Sequence, residues 1–302
     1  MLPEKTWKTE AMIRLGLSIA ACIFGGEALA RAIQAASKPI GHDWRFILSS
    51  MAAVSAFGAT VASLRKPWKF EQLLPRMIIS LFFFQLGMVF AMFEEKLAGR
   101  APTVLPISQM LISFLAFQGA ALWLIHRFLK EHALRWREAF GFVQKWQIAV
   151  LWGLIVGTLF FQVGQLLQGI SAKLLTHLPM PMKPEEQQAI QTLRLASSWI
   201  DRLVLGVGTI VLVPFAEETL FRGILYTAIK RAGFPNVAVW ATSLLFAAIH
   251  FNLAIFLPLL VLAVILTYLY EYTGNLLAPI AAHATFNAIN FVTLYVQQQT
   301  FR

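Results

Sequence analysis

The sequence predicts an all-α fold, a polytopic transmembrane bundle of eight or nine helices, and three observations predict it. Of its 302 residues, 58% are hydrophobic and 13% are charged, whereas a soluble domain carries about 25% charged residues. The apolar residues are gathered in long runs, and basic loops separate those runs. Few acidic residues interrupt them. A water-soluble fold would expose much of this apolar surface, so the expected solvent is the lipid bilayer.

The lengths of the apolar runs give the number of helices. A helix crosses the hydrocarbon core, about 30 Å thick, with about 20 apolar residues. By this criterion the sequence predicts nine segments, and two of them are short enough to be half-spans. In chain order the segments are 11–36, 46–64, 73–93, 104–126, 146–175, 199–226, 236–251, 255–270 and 276–296.

The net charge of +10 comes largely from the connecting segments, most clearly 64–76 and 126–145. If the helices alternate in direction, the Lys230–Arg231 turn lies on the same side as these two segments. Cytoplasmic loops carry an excess of lysine and arginine. We therefore expect a multi-pass protein of a cell (inner) membrane with a cytoplasmic amino terminus. Basic loops suit anionic lipid headgroups, and no nucleic-acid partner is expected.

The chain is predicted to divide into two regions. Residues 1–145 form amino-terminal membrane helices with no assigned role, and residues 146–302 form a membrane core with motifs between 217 and 287. The single cysteine, Cys22, lies inside the first apolar segment. One cysteine permits no intrachain disulfide and no cysteine-based metal site. A thiol in an apolar helix also keeps its proton, which argues against a catalytic cysteine.

Charged residues inside membrane spans are costly, so each is a candidate for function. Glu27 and Asp201 lie near helix ends, each beside an arginine. We interpret each as part of a Glu–Arg or Asp–Arg surface pair whose charged groups extend to the membrane–water interface. Glu217 and Glu218 lie deep inside an apolar segment. Arg222 follows Glu218 by four residues, on the same helical face, and can pair with it. A structural Glu–Arg pair explains Glu218 and Arg222, and it leaves Glu217 for another role.

Two of the six histidines, His250 and His283, lie inside predicted spans. Glu217 precedes Gly233 by sixteen residues, and His250 follows Gly233 by seventeen. In an antiparallel hairpin that turns at Gly233, both side chains lie about 24 Å from the turn, so they can meet. His283 and Asn287 are four residues apart and share one face of the last helix.

These residues form three short motifs in successive polar-bearing helices. They are E-E-x-x-x-R at 217–222, F-x-x-x-H at 246–250 and H-x-x-x-N at 283–287. In order and setting they resemble the CPBP family, the CAAX-protease and bacteriocin-processing intramembrane endopeptidases, which includes the type II CAAX prenyl endopeptidase of eukaryotes. The resemblance covers roughly residues 199–291.

The resemblance implies a glutamate-dependent protease that acts on a membrane-associated peptide or protein and uses no cofactor. Glu217 would be the general base and His250 would assist it. His283 and Asn287 would stabilise the oxyanion of the tetrahedral intermediate. Glu218 and Arg222 would support the catalytic residues.

Other interpretations stay open at this point. A zinc protease could use His250, His283 and a glutamate as ligands, because three nitrogen or oxygen ligands and a water form a catalytic zinc site. The sequence has no H-E-x-x-H motif, so we rank zinc lower. A transporter could use Glu217 and the two histidines as a proton relay. A non-catalytic, immunity-type membrane protein is the third alternative.

Overall fold

A computed structural model describes most of the carboxy-terminal half of the chain and shorter parts of the amino-terminal half. The described residues are 7–8, 10–20, 22, 111, 114–143, 145–177, 192–193, 196, 198–250 and 252–300. The predicted spans at 46–64 and 73–93 lie outside them, as do parts of those at 11–36 and 104–126. The number of eight or nine helices therefore stays a prediction, and so does the division at residue 145.

The chain separates into two compact units, residues 8–128 and residues 129–302, with Trp7 in the second unit. In the first unit, the described residues 10–20 form helix α1. Near the carboxy-terminal end of this unit, a π-helical stretch, Leu115–Gly119, leads into α2, Ala120–Glu131. An exposed ion pair of 3.0 Å links Arg14 to Glu10 one turn earlier on α1.

The second unit carries all three motifs, and every element described in it is helical. The elements are α3, Trp136–Phe140; α4, Trp146–Thr176; α5, Trp199–Arg231; α6, Pro235–Ala248; α7, Leu253–Thr273; and α8, Leu277–Thr300. Four of them, α4, α5, α7 and α8, are long and apolar enough to cross a membrane. The prediction of an all-helical integral membrane protein is confirmed for this part of the chain.

Of the two segments predicted to be short, one is a full-length helix and the other is short. The segment predicted at 255–270 is longer, because α7 runs for 21 residues and is a full span. Its first turn is capped by the Asn252 side chain, which accepts a hydrogen bond of 3.0 Å from the Ala254 N–H. Near its last turn, Glu271 forms an ion pair with Lys230, so the charge does not end the helix. Helix α6, in contrast, has 14 residues and is a short span.

Helix α5 is irregular in a way that positions the acidic motif. Two stretches of it, Gly208–Leu212 and Thr219–Tyr226, are π-helical. The α-helical turns between them carry Glu217 and Glu218. A π-helical stretch inserts a residue into the α-helical repeat and is frequent at functional sites. The two stretches therefore set the directions in which the two carboxylates leave the helix.

Pro214 accounts for the first π-helical stretch. The Val213 N–H bonds to the Gly208 carbonyl, five residues earlier. Pro214 follows and has no N–H to donate. The Thr209 carbonyl is therefore left without the backbone donor that would reach it in the same five-residue register. This carbonyl becomes important in the site.

Small residues bring α8 close to α4. A Cβ atom added at Gly153 would lie 2.5 Å from the Ala281 Cβ, and one added at Gly157 would lie 2.3 Å from the Ala282 carbonyl oxygen. Larger side chains at these two positions would push α4 and α8 apart. Membrane helices associate through close contacts of this kind between small residues. The same register brings Gly164 against the ring of Phe286. Helices α4 and α8 therefore run in the same direction, and α8 is held in a fixed position.

Tight turns connect the remaining helices. Gly233, with φ of +95°, lies in the turn between α5 and α6, where the sequence predicts it. Gly274, with φ of +60°, ends α7. The Leu276 N–H then bonds to the Phe140 carbonyl at 3.0 Å, which ties the start of α8 to α3. Since Lys230 pairs with Glu271, the α5–α6 turn and the α3 segment lie at one end of this unit.

Candidate active site

Glu218 is the anchored member of the acidic pair. It is fully buried, and its Oε1 accepts hydrogen bonds from Arg222 Nη1 at 2.8 Å and from His283 Nδ1 at 2.9 Å. Arg222 Nη2 also donates to the Ala263 carbonyl of α7 at 3.0 Å. One carboxylate thus joins α5, α7 and α8. The structure forms the Glu218–Arg222 pair expected from their four-residue spacing.

Glu217 has a different environment. Its side chain is 5% exposed, and its Oε2 is buried without a hydrogen-bond partner in the described part of the chain. It lies close enough to His283 and His250 to interact electrostatically with both rings. A carboxylate with no protein donor keeps its lone pairs for a bound molecule. Glu218 Oε2 is also buried without a partner, so the two carboxylates differ at the other oxygen: Glu218 Oε1 accepts two hydrogen bonds, and neither oxygen of Glu217 accepts one from the described residues.

His250 lies at the end of α6 and is partly buried. Its Nδ1 is 2.7 Å from the Phe246 carbonyl oxygen. Because a carbonyl oxygen only accepts hydrogen bonds, Nδ1 carries the hydrogen, and the neutral ring has its lone pair on Nε2. The backbone of α6 thus fixes the ring and leaves one basic nitrogen toward the site.

Phe246 forms the centre around which these groups are arranged. Its ring is fully buried, and the Arg222 guanidinium lies over it at 4.7 Å from the ring centre. The rings of His250 and His283 are 5.1 and 5.8 Å from it, centre to centre. The sequence motif marks Phe246 as a position without a role. Phe246 lies four residues before His250, on the buried face of α6. This spacing could have indicated that its ring packs against the histidine.

Asn287 contacts α5 by a bond that the sequence did not suggest. Its Nδ2 donates to the Thr209 carbonyl at 2.8 Å, and this is the carbonyl left free by Pro214 and the π-helical stretch. One of the two Asn287 amide hydrogens is therefore committed to the protein. The Pro214 residue was the available indication, since a proline in a helix always leaves a carbonyl for another donor.

The arrangement brings five of the six predicted site residues into one group. Around Phe246 lie Glu217, Glu218, Arg222, His250 and His283. The sixth, Asn287, lies one helical turn beyond His283 on α8 and bonds to the backbone of α5. The group contains an unsatisfied carboxylate, a basic imidazole nitrogen and nearby hydrogen-bond donors. These are the components of water activation and oxyanion stabilisation.

Metal binding was the lower-ranked alternative for these residues. Within the described ranges, no three histidine, cysteine, aspartate or glutamate side chains are grouped so that they could hold a metal ion. Use of no cofactor stays a prediction, and a chelator experiment tests it below.

Comparison with known proteins identifies the region that carries the motifs. Residues 199–289 match the family described as type II CAAX prenyl endopeptidase Rce1-like. The matched range contains all three motifs, so the resemblance predicted from the motifs is confirmed. The matched family is described as one of endopeptidases.

Two curated relatives each match a stretch of more than 80 residues of the chain. The uncharacterised protein YpbD of Bacillus subtilis (strain 168) is 37% identical over 83 residues, which are 26% of this chain and 40% of that protein. The UPF0177 protein YxdF of Lactococcus lactis subsp. lactis (strain IL1403) is 32% identical over 87 residues, 28% of this chain and 45% of that protein. The chain thus matches less than half the length of each relative. No solved structure matches the chain.

Proposed function

We propose that this protein is an intramembrane endopeptidase that hydrolyses a peptide bond of a membrane-associated protein or peptide through a water molecule activated by Glu217. One observation carries the proposal. The Glu217 carboxylate is buried and neither of its oxygens accepts a hydrogen bond from the described residues, whereas the adjacent Glu218 is bonded through Oε1 to both Arg222 and His283 and has only Oε2 without a partner. A buried polar group without a partner is costly. At this position, the uncommitted oxygen gains a role if it binds the attacking water.

The reaction proceeds by direct attack of water on the peptide carbonyl. A water held between Glu217 and Nε2 of His250 gives a proton to the carboxylate as its oxygen bonds to the carbonyl carbon. The carbonyl oxygen becomes the oxyanion of a tetrahedral intermediate. The C–N bond then breaks as the proton passes to the departing amine. The products are a carboxylate and an amine, and no covalent enzyme intermediate forms.

Oxyanion stabilisation is assigned to His283 and Asn287, with one condition that the geometry adds. His283 donates from Nδ1 to Glu218, so its Nε2 donates to an oxyanion only when the ring is an imidazolium. Glu218 stabilises that charge. With Glu217 and Glu218 ionised and Arg222 and His283 positive, the group is neutral before substrate binds.

Asn287 contributes the second donor. Its amide has two hydrogens, and one of them bonds to the Thr209 carbonyl. That bond orients the amide, so the second hydrogen is held in a fixed direction. A preorganised donor of this kind contributes about 3–4 kcal/mol to stabilisation of the transition state. Glu218 and Arg222 act as supports that hold α5 and α8 together.

The proposal is tested by mass spectrometry of membrane peptides from cells that express the chain. Wild type is compared with Glu217→Gln, and with Glu138→Gln as the matched control. Glu138 is exposed on α3 and lies outside the site. Peptides that appear with wild type and with Glu138→Gln, and are absent with Glu217→Gln, support the proposal. Identical peptide sets in all three samples contradict it.

The orientation in the membrane has a test of its own. We propose that the end of the unit with the α5–α6 turn faces the cytoplasm, because Lys230 and Arg231 lie there. A single cysteine at Ala232, which is exposed in the same turn and has φ of −71°, in a Cys22→Ser background, should resist an impermeant thiol reagent in intact cells and react after lysis. Labelling in intact cells would reverse the orientation.

A further inference from the structure

A row of polar side chains leads from the buried carboxylates to the surface of the unit. His283, Asn287 and Asn290 are spaced i, i+4 and i+7 and therefore share one face of α8. His283 bonds to the buried Glu218 at one end of the row. At the other end, the Asn290 Oδ1 accepts a hydrogen bond of 3.2 Å from Gln165 Nε2 of α4. The row lies on α8 and contacts α5 at one end and α4 at the other.

Gln165 lies in surroundings where an amide is not expected. It is exposed, and it is located 19 residues from the start and 11 residues from the end of the 31-residue α4. Large apolar side chains on the same helix are also exposed, Leu159 by 65% and Leu166 by 66%. Such a surface faces hydrocarbon, where an amide without a full set of partners is costly. Two more exposed glutamines, Gln162 and Gln168, lie one turn to either side.

We infer that Gln165 and Asn290, continuing from Asn287, bind the backbone of the substrate peptide in an extended conformation as it enters the site. This inference rests on the proposed endopeptidase function and adds a substrate-binding subsite to it. Nothing in the proposed chemistry of Glu217 and His250 requires these two amides. The subsite recognises main-chain amides, so it accepts different side chains.

The chemistry of the substrate favours this occupant. A peptide bond must leave a helix before water can attack it, and its neighbours then lose their helical hydrogen bonds. In hydrocarbon those N–H and C=O groups have no water to replace the lost bonds. Asn290 accepts the Gln165 bond at Oδ1 and donates one amide hydrogen to the Phe286 carbonyl at 2.9 Å, so its second hydrogen is left for a substrate carbonyl. Gln165 has its Oε1 and one amide hydrogen without a partner among the described residues, so it can serve both kinds of backbone group.

The dimensions agree with a short extended segment. His283 and Asn290 are seven residues apart on α8, which is about 10.5 Å along the helix axis. An extended chain advances about 3.3 Å per residue. The row therefore spans about three substrate residues, counted from the bond opposite His283 toward the α4 surface. A second transmembrane helix on this surface is the competing occupant, and the experiment separates the two.

The experiment measures the kinetics of a synthetic peptide in detergent. The peptide spans a bond whose cleavage in membranes depends on Glu217, so failure of the proposed function is recognised before any subsite variant is made. The variants are Gln165→Met, Asn290→Leu and the double variant. Gln147→Met is the matched control, because Gln147 is an exposed glutamine near the start of the same helix. Thermal unfolding of each purified variant shows whether its fold is retained.

We expect the double variant to raise KM about tenfold and to leave kcat within about twofold of wild type, since one to two hydrogen bonds to the bound peptide are lost. Gln147→Met should change neither constant. An unchanged KM in the double variant would overturn the inference. Chemical cross-linking of wild type and the double variant in detergent is measured alongside. An unchanged KM together with a cross-linked dimer that forms with wild type and is lost in the double variant would assign the surface to a second helix instead. If the double variant does not fold, the inference is tested with the single variant Gln165→Met, whose side chain is exposed. Its KM should rise about threefold, and an unchanged KM would overturn the inference.

Discussion

Glu217 and Glu218 are adjacent on one helix and equally deep in the protein, and they have opposite environments. Glu218 bonds to Arg222 and His283, and through Arg222 it is connected to the backbone of α7. Glu217 has no hydrogen bond to the described residues and interacts electrostatically with two imidazole rings. Successive residues of a helix are rotated by about 100°, so neighbours leave it in different directions. One helix can therefore supply a structural carboxylate and a reactive one at the same depth.

These two environments explain why the acidic motif contains two glutamates and an arginine. A lone carboxylate in the membrane would have no compensating charge. Arg222 is committed to Glu218, so the charge of Glu217 is balanced in the proposed mechanism by the imidazolium form of His283. Glu217 can then remain without protein donors, because the packing of α5, α7 and α8 does not depend on it.

The largest expected effect comes from Glu217→Gln. This change should lower cleavage of the peptide by about 10²–10⁴-fold or more, because water then attacks without a base. It should leave the midpoint of thermal unfolding nearly unchanged, since no hydrogen bond of Glu217 is lost. Kinetics and differential scanning fluorimetry on the same sample measure both. A large fall in the unfolding midpoint would show that Glu217 is structural, and the contrast between the two glutamates would disappear.

Arg222→Met should affect folding more than chemistry. It leaves Glu218 buried with only His283 as a partner, and removing one member of a buried pair costs about 3–5 kcal/mol. The double variant Arg222→Met with Glu218→Leu should recover much of that loss, because an apolar pair of similar volume is close to neutral in cost. Thermal unfolding in detergent measures both variants. A double variant less stable than Arg222→Met would contradict the assignment.

Asn287→Leu should have an intermediate effect on chemistry. Loss of one oxyanion donor lowers kcat by about 10²–10³-fold. The bond to the Thr209 carbonyl is lost as well, which should cost about 1 kcal/mol of stability. Measured kcat and unfolding temperature separate the two contributions. A fall in kcat of less than about tenfold would assign Asn287 to structure alone.

The smallest effect is expected from Pro214→Ala. Alanine restores an N–H that can compete with Asn287 for the Thr209 carbonyl and can return this stretch of α5 to α-helical spacing. The expected fall in kcat is about two- to fivefold, corresponding to partial loss of one hydrogen bond. The same peptide assay measures it. A loss as large as that of Asn287→Leu would show that the π-helical stretch itself is required.

The sequence predicted the parts of the site that depend on spacing along one helix or across one turn. The Glu218–Arg222 pair follows from a four-residue interval. The approach of Glu217 to His250 follows from nearly equal distances to Gly233. The association of His283 with Glu218 did not follow, because the register between α5 and α8 depends on packing.

Features that depend on packing between helices were not predictable. The two π-helical stretches of α5 are stabilised by contacts such as the Asn287 bond to Thr209, which no local pattern encodes. The full length of α7 was not predicted, and the ion pair of Glu271, near its end, with Lys230 of α5 appears only in the fold. Phe246 was a motif position, and its contacts with three polar residues appear only in the fold.

In the proposed mechanism, the Glu217 carboxylate activates water without a metal ion. The direct measurement is cleavage of the synthetic peptide by purified wild type, Glu217→Gln and Glu138→Gln, each with and without EDTA and phenanthroline. Wild type and Glu138→Gln should cleave at the same rate under every condition, and Glu217→Gln should be inactive throughout. Activity that survives Glu217→Gln, or that is lost with chelator and restored by zinc, would contradict the account.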